Sequence, residues 1–112
     1  MGLAGLGLYT LTLSPGVLPA DSGEYQVTGA LLGVAHPPGF ALYTLLSWLI
    51  SRTPFAAPAT AINWFSAWLA AGALALTSRA IRTWTGSAAA GLAGALMLGM
   101  ATTFWAQATT AN

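Results

Sequence analysis

The chain has 112 residues, 56% of them hydrophobic and 4% charged, with a formal net charge of +1. An ordinary soluble domain carries about 25% charged residues, and five charged side chains cannot clothe a water-facing surface of this size, so the sequence reads as that of a bilayer protein. The length allows one compact domain, the lack of a Lys/Arg run excludes a nucleic-acid surface, and the absence of cysteine excludes disulfides, thiolate metal sites and cysteine nucleophiles.

Residues 1–13 are apolar and end at the turn signal Ser14-Pro15-Gly16. They fall short of the ~20 residues that cross a hydrocarbon core, and no Lys or Arg follows Met1 to make the basic start of a signal peptide. They are expected to be the back half of a spanning helix. After the proline-interrupted stretch 14–20, Asp21-Ser22-Gly23-Glu24 predicts a helix start, Asp21 capping and Glu24 reaching back as its capping-box partner. The helix is expected over 22–34, because His36 precedes Pro37-Pro38 and a residue before proline is pushed out of the α region. A second short helix is expected from Pro38 or Gly39 through 40–51, with Tyr43, Trp48 and Arg52 as amphipathic tips suited to the membrane interface.

Residues 59–78 contain no charge and predict a full transmembrane helix, closed by Arg79 and Arg82. Residues 87–106 predict a second, whose Gly91, Gly94 and Gly99 favour close helix packing. The expected fold is therefore all-α: a polytopic membrane protein with a partial first span, two short juxtamembrane helices and two full spans in one membrane domain. The arginines between the two full spans assign 79–86 to the cytoplasm, so 14–58 faces the periplasm or lumen. Both acids, Asp21 and Glu24, and the single histidine, His36, fall within that outer segment.

In order and spacing, three runs resemble one known family: Tyr9-Thr10-Leu11-Thr12-Leu13-Ser14-Pro15-Gly16-Val17, Asp21-Ser22-Gly23-Glu24-Tyr25-Gln26 and Leu32-Gly33-Val34-Ala35-His36-Pro37-Pro38-Gly39-Phe40. Asn63-Trp64-Phe65-Ser66-Ala67 and Thr103-Phe104-Trp105-Ala106-Gln107-Ala108 agree with it. It is a family of membrane proteins of unknown function placed in the GT-C glycosyltransferase superfamily, near the protein O-mannosyltransferases. The resemblance implies the N-terminal part of a longer enzyme that moves a sugar from a polyprenyl-phosphate donor to a hydroxyl, on a protein or a glycan, at the outer membrane face. It implies Asp21 as general base, Glu24 as the second acid and His36-Pro37-Pro38 as a basic-Pro-Pro segment.

The chain departs from the family where Ser22 and Gly23 separate two acids that many relatives carry side by side, and where His36 replaces a lysine. A donor contact by His36 then depends on its protonation. Many members also carry an Ala-Glu pair where this chain has Ala111-Asn112. Independently of any relative, an alcohol acceptor needs a base and a phosphate leaving group needs positive charge or N–H donors. Asp21 is the base this chain offers, and His36 or Arg52 the donor-binding cation.

The plainer roles are an N-cap for Asp21, a helix terminator for His36, a snorkelling residue for Arg52 and packing for Gln107. No ligand cluster is evident along the sequence, so no structural metal is predicted; no cofactor is evident, and the sequence leaves divalent-metal dependence open. A transporter subunit would need acids within the spans, and 59–78 and 87–106 have none. A small non-enzymatic or truncated membrane protein is the competing reading, since two full spans, half of another and two surface helices cannot enclose both donor and acceptor.

Overall fold

The computed structural model of the chain describes residues 1–37 and 40–111. Its regular elements are all helical: α1 (Gly2–Leu11), α2 (Ala20–Leu31), α3 (Ala41–Ser51), α4 (Pro58–Thr85), α5 (Ala88–Gly99) and α6 (Thr102–Thr109). Helix α4 is the spine against which the five others pack. Proline stands in its first turn, where no N–H is missed, and Gly86 ends it in the left-handed conformation at φ +68°. Its buried stripe, Asn63, Ser66, Ala67, Ala70, Ala71 and Leu74, consists mostly of small residues that let neighbouring backbones approach. Gly91 of α5 sits against Ser78 and Arg82, and Gly94 against Ile81, so the predicted close packing of the glycines is present.

Helix α4 is long and apolar enough to cross a bilayer, and the pair α5 and α6 would count as a second crossing only as one broken span. Both predicted spans differ from the sequence reading. The helix predicted over 59–78 continues through Arg79 and Arg82 to Thr85, because charge ends an apolar run without ending a helix. Thr83 and Thr85 bond back to the carbonyls of Arg79 and Ile81, and the first breaker is Gly86.

The helix predicted over 87–106 is broken at Met100-Ala101 and bends by 71°. The break is stabilised from across the bundle: Tyr9, 1% exposed, donates its hydroxyl to the Gly99 carbonyl at 2.9 Å. Its ring meets Trp105 edge-on at 5.1 Å. A core of Tyr9, Ala67, Ala70, Leu74 and Ala108 forms around this contact.

Helix α1 runs antiparallel to α4, with Gly2 beside Ala71 and Ala75 and Ser14 bonded to Asn63. A second core, Tyr25, Ala35, Ile62 and Ala111, gathers where α2 and α3 dock at the Asn63 end of α4. Gly29 permits that docking, since a Cβ there would meet Ser47 at 2.8 Å and Ile62 at 3.0 Å. Arg79 and Arg82 lie sixteen and nineteen residues further along α4, roughly 24–28 Å away by helix rise.

Helix α2 ends at Leu31, three residues earlier than predicted, because Leu32 turns left-handed at φ +55° and Gly33 N–H closes on the Thr28 carbonyl. The expected helix start at Pro38 or Gly39 lies outside the described residues.

Candidate functional site

The capping box predicted for Asp21 and Glu24 is not formed. Helix α2 begins at Ala20 with Pro19 as its cap residue, and no side chain caps it. This earlier start carries Asp21 into the first turn, where a carboxylate suits the positive end of the helix dipole. Asp21 is exposed, and among the described residues no hydrogen bond or ion pair engages its carboxylate.

Glu24, one turn on, is fully occupied. Its Oε1 accepts the His36 backbone N–H at 2.6 Å, and its Oε2 meets His36 Nδ1 at 2.8 Å. This two-point clamp folds the post-helix loop back over α2. It replaces the capping role because the 12-residue excursion returns His36 to the same helix face.

The electrostatics follow the geometry. The backbone N–H of His36, then its ring, favour the ionised Glu24 and hold its pKa below the usual carboxylate value, against a smaller opposing effect of desolvation. The hydrogen bond that its ring donates to Glu24, then the charge of Glu24, raises the His36 pKa above the usual imidazole value. With Nδ1 turned to Glu24, Nε2 is the ring nitrogen left for another partner.

Asp21, Glu24 and His36 each offer one ligand atom, and these lie within 4.8 Å of one another. A cation could therefore reach all three, a cluster that sequence spacing hides because two of its members are twelve residues apart. Binding one would compete with the Glu24–His36 clamp.

An aromatic wall runs from this cluster toward α4. Tyr25 lies 5.9 Å from His36, 5.8 Å from Phe40 and 5.9 Å from Tyr43, and Tyr43 stacks on Phe65 at 5.7 Å. Tyr43 also shares a hydrogen bond with Ser66 at 3.1 Å. Beside it an apolar groove of about 430 Å³ is lined by Phe40, Leu42, Tyr43, Leu46, Phe65 and Leu69. Arg52 is not brought to the cluster. It closes the opposite end of α3, about 13 Å along the axis from Tyr43, with its guanidinium 5.2 Å from the Trp48 ring. Gln107 lines a different groove with Tyr43 and Ser66.

The sequence reading assigned no role to Gln26 or Asn63, which figure there only within the runs that carry the family resemblance. Both are buried and bonded to each other beneath α2. The available signal was an amide at the head of an otherwise apolar helix, where an unpartnered polar group is costly.

Comparison with known proteins supplies the family. Residues 21–112 match the family described as the protein O-mannosyl-transferase TMEM260 N-terminal domain. The mouse (Mus musculus) protein O-mannosyl-transferase TMEM260 is 35% identical over 99 residues, covering 88% of this chain and 14% of the mouse protein. The Dictyostelium discoideum protein O-mannosyl-transferase tmem260 is 42% identical over 45 residues, 40% of this chain and 6% of that relative. No solved structure matches the chain. The chain thus spans about a seventh of the mouse relative, and the family match begins at Asp21. By that match, which covers most of its length, the chain belongs to the TMEM260 N-terminal domain family.

Proposed function

We propose that these residues form the outer-face portion of a multi-pass membrane glycosyltransferase of the GT-C type. The complete protein transfers mannose from a polyprenyl-phosphate carrier to a protein hydroxyl, and Asp21 is the general base. The sugar and the protein acceptor are taken from the name of the relatives. One observation carries the assignment of the base: of two acids one turn apart on α2, Glu24 is held at both oxygens by His36, while the exposed Asp21 carboxylate makes no hydrogen bond or ion pair among the described residues.

In this reading the acceptor oxygen bonds to the anomeric carbon as its proton passes to Asp21. The bond from that carbon to the phosphate oxygen breaks, and the phosphate leaves with the electron pair. A positioned base contributes typically 10²- to 10⁴-fold to such a step. In its protonated form, which Glu24 favours, His36 presents Nε2–H to the phosphate, and Glu24 serves it as a holder rather than as a second base. Arg79 and Arg82, at the far end of α4, mark the cytoplasmic side, so the acids and His36 face outward.

The test is transfer of labelled mannose from a polyprenyl-phosphate donor by the complete protein, wild type against Asp21→Asn. Loss of transfer on the order of 10²-fold or more, with membrane insertion intact, is expected. Undiminished transfer by the variant would remove Asp21 from the chemistry.

A further inference from the structure

Two buried amides lie beneath the site, and the chemistry proposed above uses neither. Gln26 is 2% exposed and Asn63 0%. Gln26 Nε2 donates to Asn63 Oδ1 at 2.9 Å and to the Gly16 carbonyl at 3.1 Å, while its Oε1 accepts from Leu18 N–H at 2.9 Å. Asn63 Nδ2 donates to the Ser14 carbonyl at 2.9 Å, and Asn63 Oδ1 also accepts Ala111 N–H at 2.9 Å. One side-chain pair thereby joins α2, α4, the connection between α1 and α2, and the chain beyond α6. The four backbone groups it satisfies lie outside helices, where no helical partner is available to them.

On α2 the anchor and the acids are opposed. Gln26 is five residues from Asp21 and two from Glu24, which at about 100° per residue turns it roughly 140° and 160° away from them. The rest of the buried face of α2 is Gly23, Tyr25 and Gly29. Two glycines and one aromatic ring give few knobs to lock a helix against sliding or rolling. Directional bonds supply what that packing lacks.

We propose that Gln26 and Asn63 are the positioning residues of this site: their amide pair sets the height and roll of α2 on α4, and so where Asp21 and Glu24 stand. The structural half stands on these bonds alone, and the activity half rests on the transferase reading.

The test uses the complete protein, with other cysteines replaced and spin labels on cysteines introduced at the exposed positions Val27 of α2 and Leu76 of α4. Distances between the labels are measured in lipid nanodiscs beside kcat and the donor KM. Asn63→Ala removes the hub. Asn63→Asp keeps its shape but turns an oxygen toward the Ser14 carbonyl, so the test survives a failure of the first variant to fold. Both are expected to shift or broaden the distance distribution. A displacement near 1 Å costs on the order of 10²-fold in rate, so kcat should fall by about that much with donor KM changed far less.

The swapped pair Gln26→Asn with Asn63→Gln keeps the chemistry and is expected to recover part of both. A merely structural role would lower the yield of folded protein and leave its kcat unchanged. Distances unaltered in Asn63→Asp would overturn the proposal, as would altered distances with full kcat. A wild-type protein that transfers no mannose would sink the enzyme reading instead, and the distances would still decide whether the pair holds α2.

Discussion

Gly23 stands between the two acids of α2, and its replacement by alanine is the sharpest test of how that helix is seated. A Cβ at this position would fall well inside contact distance of the Leu18 carbonyl oxygen. The Leu18 segment cannot simply withdraw, because its N–H is held by Gln26 Oε1 at 2.9 Å. Overpacking of this kind costs about 1–3 kcal/mol, and loss of the Leu18–Gln26 bond adds about 1 kcal/mol. Removing a helical glycine returns about 0.5–1 kcal/mol. The net is a destabilisation of α2 by about 1–3 kcal/mol, equivalent to roughly 5- to 140-fold faster hydrogen exchange of its amides. Gly72 of α4, which has open space where its Cβ would go, is the control. Gly72→Ala should be neutral or stabilise by about 0.5–1 kcal/mol. If Gly23→Ala left α2 exchange at the wild-type rate, the close seating of α2 on the preceding connection would be refuted.

Tyr9→Phe removes the hydroxyl that meets the Gly99 carbonyl and leaves that carbonyl buried without its partner, at a cost of about 1–3 kcal/mol in thermal or denaturant unfolding; a variant as stable as wild type would show that the α5–α6 break does not need this bond. Ser47 is 0% exposed, and its Oγ has no hydrogen-bond partner among the described residues. Ser47→Ala should therefore be neutral or raise stability by up to about 1 kcal/mol, whereas a clear loss would reveal a partner for the hydroxyl. The clamp also predicts a pH window. His36, raised above 6.5, contributes fully below that value and loses its contribution as pH rises through the raised pKa. Glu24, lowered beneath 4.5, contributes above that value and loses its contribution as pH falls through the lowered pKa. The clamp is thus strongest between 4.5 and 6.5. An NMR titration should place the His36 midpoint above 6.5 in the wild type and closer to it in Glu24→Gln; a wild-type midpoint at or below 6.5 would contradict the ion pair.

Much of the helical plan was legible because it depends on local signals. Pro58, Gly86, Pro15 and the proline pair after His36 punctuate the chain, and the apolar run between Pro58 and Arg79 can only be a buried or membrane helix. What the sequence hid depends on contacts distant along the chain. The bend after Gly99 needs Tyr9, ninety residues away, to satisfy the freed carbonyl. Arg79 and Arg82 look like a loop in hydropathy yet are helical, because charge and helix propensity are separate properties. At the site, Asp21 and Glu24 were visible as the chain's two acids. Their division of labour was not, since it turns on where the loop returns His36. The amide pair was the least legible of all: Gln26 and Asn63 are 37 residues apart, and each is unremarkable until the other is seen.

The most direct measurement sets Asp21→Asn beside Glu24→Gln in the complete protein and compares kcat/KM for mannose transfer. The account predicts a loss on the order of 10²- to 10⁴-fold for Asp21→Asn. For Glu24→Gln it predicts a markedly smaller loss, arising through the loosened His36. The reverse ranking, with Glu24→Gln inactive and Asp21→Asn near wild type, would make the clamped acid the base and contradict the account.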